Sequence, residues 1–261
     1  MSQTVVIVGL GEVGKPLFEI IKTHHEAFGV DIDLAAPLKH CDVMHICFPF
    51  DDQEFVSQAV DYIRRYHPAL TIINSTVAPG TTRRIAGESG AAVVNSPVRG
   101  KHARMRDELL HYTKFIGALT SDSGRHAVQH FQSIGMKTKV LSCPEATEIA
   151  KLTETTYFGV LIAWAQEVER YCREVGSSYD EVVSFYEEVK FFPSVKYFPG
   201  VIGGHCVMPN IAILLRKFPS GLLQAIVRSN ALKQGNLSAE GWREIEDASV
   251  GSQAAPPSSS D

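Results

Sequence analysis

The stretch VVIVGLGEVG places Gly9, Gly11 and Gly14 at the spacing of a phosphate-binding turn, with Glu12 and Val13 between the last two. In such a turn the first glycine permits the sharp bend and the second lets the backbone approach a pyrophosphate. The third lets helix and strand pack closely, and the helix N-terminus adds partial positive charge. Asp31 ends the next apolar run, 22 residues beyond Gly9, where a carboxylate accepts hydrogen bonds from adenosine ribose hydroxyls. Ile32 and Asp33 follow, with no arginine to meet a 2′-phosphate, so the pattern selects NAD over NADP. INSTVAPGTT is a second polar loop, whose Ser75 and Thr76 hydroxyls beside a proline-fixed turn would sit at the cofactor edge of a sheet. Lys151 and Thr155 stand four apart in a helical stretch and share one face. FPGVIGGHC offers Cys206 after paired glycines, a flexible backbone on which a reactive thiol can be presented.

These residues need a frame. Thr4–Val8, Ala27–Asp31, Asp42–Phe48, Leu70–Ser75 and Ala91–Asn95 are short apolar runs bounded by turn residues, and read as buried strands. Amphipathic stretches lie between them, such as Gln53–Tyr66 with Phe55, Val56, Val60 and Ile63 on one face. Strand and helix in alternation imply a doubly wound α/β fold, a parallel sheet covered on both sides. Thr113–Leu119 and Lys137–Ser142 read as further strands around a helix near Gly124–Ile134.

From Pro144 a helical pattern runs for about thirty residues, a rod on the order of 45 Å at roughly 1.5 Å per residue. Its apolar positions, Ile149, Leu152, Val160, Trp164, Val168 and Tyr171, exceed what one small domain can cover, so pairing across a two-fold axis as a homodimer is expected. Helical patterns resume at Tyr179–Val189 and from Ile211 to about Lys233. The organisation expected is an NAD-binding Rossmann-type domain over 1–145 and a central helix with a small helical domain over 146–235. The polar tail, 236–261, is too rich in Pro and Ser to bury a core.

Of 261 residues, 25 are Lys or Arg and 29 Asp or Glu, a net charge of −4 with no basic run, which argues against nucleic acid as the main partner. No apolar run reaches the roughly 18 residues that span a bilayer, and no basic segment precedes a cleavable apolar one, so no membrane partner and a cytoplasmic location are expected. Five cysteines without a CxxC pair fit thiols in a reducing compartment, with neither a disulfide frame nor a metal site.

GLGEVGKP, INSTVAPGTT, NSPVRG, KFIGAL, EATEIAKLTETTYFGVLIAWAQEVE and FPGVIGGHC occur in the order and near the spacing of the UDP-glucose/GDP-mannose dehydrogenase family, which the chain resembles over residues 4–235. The likeness extends to its UDP-N-acetylmannosamine dehydrogenase branch, whose cysteine motif also reads GGHC. The resemblance implies NAD as cofactor, a nucleotide-sugar substrate, a homodimer, and oxidation of a sugar primary alcohol to the carboxylate in two steps. It implies Cys206 as nucleophile, passing through a thiohemiacetal and a thioester, and Lys151 as the cation that stabilises the oxygen anion.

The chain departs from that pattern. Val98 stands where the family carries a thioester-hydrolysing glutamate, Thr155 where it carries asparagine, and Asn210 where it carries aspartate. The region between Asp31 and Asp42 is short, and the resemblance ends before the family's C-terminal nucleotide-sugar-binding domain, which is expected to be missing. His205 and His102 are the imidazoles near enough in sequence to substitute for the glutamate. GLGEVGKPL, NSTVAPGTT and SPVRG also resemble the beta-hydroxyacid dehydrogenases, which use a helix lysine for a single oxidation. Three readings are open: a sugar-alcohol dehydrogenase, a lysine-dependent hydroxyacid dehydrogenase, and a catalytically impaired NAD-binding relative.

Overall fold

The computed structural model describes residues 2–32, 34–100, 104–189, 197–204 and 206–235. The chain divides into two compact units, Met1–Glu154 and Thr155–Asp261. The first is built on strands β1 (Thr4–Val8), β2 (Glu26–Val30), β3 (Val43–Ile46), β4 (Leu70–Ile73), β5 (Val93–Asn95), β6 (Lys114–Ala118) and β7 (Thr138–Leu141). They form one sheet in the order β2-β1-β3-β4-β5-β6-β7. Helices α1 (Gly14–Ile21), α2 (Phe55–Tyr66), α3 (Thr81–Ser89), α4 (Met105–His111) and α5 (Ser121–Ser133) cover it.

Valine, isoleucine and other apolar residues crowd β1, β3, β4 and β5 because both faces are buried there, so neither face needs polar alternation. Val5, Ile7, Val43, Ile72 and Ile116 pack against Leu17 and Ile21 of α1, Leu109 of α4 and Phe131 of α5. Val6, Val8, Met44 and Ile46 pack on the other face against Phe55, Val60 and Ile63 of α2 and Ile85 of α3. The sheet order reverses between β1 and β3, which opens a crevice at their carboxyl ends.

The sheet is not wholly parallel, as alternation alone implies: β5 and β6 run antiparallel, pairing Val94 with Ala118 and Asn95 with Gly117. A parallel crossover needs an element that carries the chain back along the sheet. The helix in this connection, α4, has seven residues, and the chain re-enters from the edge it left.

The α1/α5 face also buries a polar row. Asn74 gives its amide to Ile72 O at 3.3 Å and to His45 Nδ1 at 3.0 Å, so His45 Nδ1 is an acceptor. His45 Nε2–H then donates to His130 Nε2 at 2.8 Å, and His130 Nδ1–H to Gln3 Oε1 at 2.8 Å. The row holds together only with both imidazoles neutral. Burial pulls the pKa of His45 well below its ordinary value and that of His130 down to about 3.

The long helix α6 (Pro144–Val175) matches the rod read from sequence and continues from the first unit into the second. The second unit adds α7 (Tyr179–Glu187), α8 (Val207–Lys217) and α9 (Gly221–Lys233). The single pattern from Ile211 to Lys233 is two helices. Pro219 steers Phe218 out of the helical region to φ −130°, ψ 111°, and Ser220 restarts the chain by accepting the Leu223 N–H at 3.3 Å. Gly159 lets α8 approach α6, since a Cβ there would lie 3.0 Å from Val207 and 3.2 Å from Ile211. The tail 236–261 lies outside the described residues.

Candidate active site

The glycine turn has the shape its spacing requires. Gly9 sits at φ +88°, and a Cβ on it would come within 2.8 Å of Phe48 N in the loop after β3. A Cβ on Gly14 would fall 1.7 Å from Gly9 O, so α1 can start this close to β1 only with glycine there. Gly11, exposed, faces open space, the approach a pyrophosphate needs. Val13 is the residue before α1, and Glu12 is exposed beside it.

Asp31 Oδ2 accepts the Leu10 N–H at 3.0 Å, and Oδ1 accepts the Ile32 N–H at 3.0 Å. The carboxylate thus braces the turn from the end of β2, with lone pairs left for ribose hydroxyls on an exposed residue. Ser75 Oγ donates to Phe48 O at 2.6 Å and joins the loops after β3 and β4; Thr76 is half-buried next to it. Gly9, Asp31 and Ser75 therefore converge on the crevice at the carboxyl ends of the strands, and the residues fit a dinucleotide.

Two residues of this unit went unseen in the sequence. Glu148 of α6 is buried, and its Oε2 and Oε1 accept the N–H groups of Gly80 (2.7 Å) and Thr82 (2.9 Å) at the start of α3. It pins the NSTVAPGTT loop, and burial raises its carboxyl above the usual range against those donors. Its signal was a charge three residues before Lys151 on a helix, too common to single out. Lys114 of β6 is also buried and donates to Ser96 O at 2.7 Å and Pro97 O at 3.3 Å, holding the NSPVRG loop from beneath. Burial brings its ammonium down to about 7.

Val98 in that loop is 8 % exposed and packs with Met105 and Leu109, so an enclosed apolar side chain occupies the position of the resembled glutamate. Lys151 is largely buried on α6, its Nζ 3.7 Å from Glu154, which also lies 3.9 Å from Arg99. His102 and His205 lie outside the described residues.

In the second unit Cys206 is an exposed thiol immediately before α8. One turn on, Asn210 is buried and donates its amide to the Thr155 hydroxyl on α6 at 2.6 Å. The first turn of α8 is thereby tied to α6 beside the cysteine. Cys206, Thr155 and Asn210 belong to this unit; Lys151 belongs to the first. Among the described residues no cluster of His, Cys, Asp or Glu is arranged to hold a metal, and no helix is long and apolar enough to cross a membrane.

Residues 145–232 match the model of the UDP-glucose/GDP-mannose dehydrogenase family, central domain. A UDP-N-acetyl-D-mannosamine dehydrogenase of Methanococcus vannielii is 23 % identical over 252 residues, covering 78 % of this chain and 59 % of that protein. The chain thus spans under two thirds of that relative's length. The solved UDP-D-ManNAc dehydrogenase of Pyrococcus horikoshii superposes with a TM-score of 0.76 at 21 % identity, over 94 % of this chain and 72 % of that one. A 3-hydroxyisobutyrate dehydrogenase of Mycobacterium tuberculosis superposes at 0.63 and 17 % identity, over 97 % of this chain and 96 % of that one. Both likenesses show the α/β fold.

Proposed function

Because residues 145–232 match the central-domain model of the UDP-glucose/GDP-mannose dehydrogenase family, we propose that the chain is an NAD-dependent oxidoreductase acting in the cytoplasm on the primary alcohol of a nucleotide sugar. The observation that carries the reading is Cys206, an exposed thiol at the start of α8 with Asn210 clasping Thr155 one turn on, inside the matched segment.

Residues 1–145 hold the cofactor. The backbone of Gly9, Gly11, Glu12, Val13 and Gly14 surrounds the pyrophosphate at the α1 N-terminus, Asp31 takes the ribose hydroxyls, and Ser75 and Thr76 line the adjoining edge. NAD, when bound, supplies the acceptor for hydride leaving the alcohol carbon. Residues 146–235 carry the rest of the chemistry. Lys151 stabilises the oxygen as its proton leaves. Cys206 Sγ then bonds to the aldehyde carbon while its thiol proton passes to the oxygen, giving a thiohemiacetal. Loss of a second hydride, for which a second NAD would be the acceptor, and of the hydroxyl proton converts it to a thioester. Water must finally break the C–S bond, and Val98 places no carboxylate at the position whose glutamate serves that step in the resembled family, while Asn210 stands uncharged where that family carries aspartate.

That departure favours a second reading, a catalytically impaired relative that keeps the cofactor. The two separate on a panel of nucleotide sugars, free sugars and hydroxyacids followed by NADH absorbance, with Cys206→Ala and Lys151→Ala beside the wild type. NADH formed with a sugar alcohol, lost in Lys151→Ala and cut back to the first oxidation in Cys206→Ala, supports the dehydrogenase; no NADH with any substrate supports the impaired relative. NADH formed with a hydroxyacid and indifferent to Cys206→Ala overturns it in favour of a lysine-only oxidation.

The working unit we propose is a homodimer. Tyr157, Trp164 and Tyr171 of α6 are each more than half exposed, an aromatic surface that a second copy would cover. Light scattering at micromolar concentration that returns 28.7 kDa refutes it.

A further inference from the structure

Asn230 of α9 is 3 % exposed and makes two hydrogen bonds to the backbone of one residue. Its Oδ1 accepts the Ile202 N–H at 2.7 Å, and its Nδ2 donates to Ile202 O at 3.0 Å. One amide thus engages both polar groups of a loop residue, as a neighbouring strand would. Gln166 of α6, wholly buried, extends the clamp: its Nε2 donates to Gly200 O at 2.7 Å and to Asn230 Oδ1 at 3.5 Å. Its Oε1 accepts the Ser229 hydroxyl at 2.8 Å, and Arg170 donates to that hydroxyl at 3.0 Å. Every polar atom of both amides is engaged, so neither side chain can turn without leaving a buried group unpaired.

The clamp stands just ahead of the cysteine loop. Gly203 and Gly204 are exposed, and Gly204 takes φ +78°, so they bring no side chain to pack. Cys206 comes directly before α8, whose first turn is held by Asn210 on Thr155. The cysteine therefore hangs between two anchors, Asn230–Ile202 upstream and Asn210–Thr155 downstream, with flexible glycine between them. If packing alone were needed, the buried Ile202 side chain would suffice; two amides reaching for backbone carbonyls and an N–H set the path of the chain itself.

We propose that Asn230 and Gln166 are positioning residues that fix the backbone from which Cys206 is presented. The inference rests on reading Cys206 as the reactive thiol.

Two isosteric variants of the full chain test it: Asn230→Asp removes the donor to Ile202 O, and Gln166→Glu removes the donor to Gly200 O. Each sets a carboxylate oxygen against a carbonyl at unchanged size. Three readouts are taken: hydrogen exchange of the 198–204 peptide, iodoacetamide alkylation of Cys206 with Cys143 as internal reference, and kcat and KM on whichever substrate yields NADH. The expected result is roughly tenfold faster exchange of that peptide, a change of about threefold or more in Cys206 alkylation with Cys143 unaffected, and a fall in kcat of about tenfold or more at unchanged KM for NAD. Faster exchange with unaltered Cys206 alkylation reduces the clamp to a structural role and overturns the proposal, as does unaltered exchange in both variants. If the wild type forms no NADH, the dehydrogenase reading fails while exchange and alkylation still decide the clamp. If one variant does not fold, the other carries the same test.

Discussion

Asn210 donates its side-chain amide to the hydroxyl of Thr155 across 2.6 Å, and both side chains are buried. In the resembled family the amide stands on α6 and a carboxylate on α8. Here α8 carries the amide and α6 a hydroxyl, and the two form a cross-helix bond that involves no charged group. Removing either partner leaves the other buried without this bond, at a cost of about 1–3 kcal/mol. Thr155→Val and Asn210→Leu should each lower stability by that order in urea denaturation, while the double variant costs less than their sum. Additive losses would show that the pair is not coupled.

The cofactor turn makes a second prediction. Asp31 braces Leu10 N and is the proposed acceptor of the ribose hydroxyls, so Asp31→Ala loses the brace and, on that proposal, the acceptor as well. NAD affinity by calorimetry should fall by about tenfold or more, since each lost charged hydrogen bond is worth about 1.5–3 kcal/mol. Equal affinity in variant and wild type, or no binding to the wild type at millimolar NAD, removes the site.

Much of this frame is legible in the sequence for a physical reason. Glycine at Gly9 and Gly14 is imposed by contacts of 2.8 and 1.7 Å that no side chain could share, so the motif carries its own geometry. The apolar runs mark strands buried on both faces, and α6 begins at Pro144, a residue suited to a helix start. The direction of β6 leaves no such trace, because an apolar run reads the same both ways. Glu148 and Lys114 escape notice because their roles come from burial and from backbone groups far off in sequence, Gly80 and Ser96. Asn230 escapes for the same reason, since nothing in the helical spacing of α9 marks which polar residue turns inward to meet Ile202.

Acid should destabilise the first unit through its buried histidine row. His45 and His130 are neutral in the fold, with pKa values lowered by burial, whereas in the unfolded chain they titrate near the ordinary 6.5. Below that pH the unfolded state binds more protons, so stability is lost as pH falls from about 6.5 toward 3. The slope is about 1.4 kcal/mol per pH unit for each histidine in the middle of that window. His130→Gln should roughly halve it in urea titrations at pH 5 and 7; an unchanged slope contradicts neutral burial.

Lys114 acts in the opposite range. Its folded pKa is brought down to about 7 by burial, while the unfolded lysine titrates near 10.5. Between those values the unfolded state again binds more protons, so stability rises with pH from about 7 toward 10. Lys114→Met removes this term, and its stability should gain less than the wild type's on going from pH 7.5 to 9.5. A parallel pH dependence in the two proteins would mean that Lys114 keeps its charge in the fold.

The final prediction concerns the last chemical step. Forming a thioester on Cys206 asks for a thiol, a cation and a hydride acceptor, but hydrolysing it asks for a group that takes a proton from water. Val98 is enclosed against Met105 and Leu109 and cannot accept one, and Asn210 spends its amide on Thr155. Turnover to carboxylate should therefore be slow or absent, with a first burst of NADH followed by arrest. Intact-protein mass spectrometry after incubation with substrate and NAD should find an acyl adduct, absent in Cys206→Ala, or free aldehyde should accumulate in solution. Rapid, sustained release of two NADH per carboxylate would mean that another group activates the water, and Val98→Glu would then bring no gain.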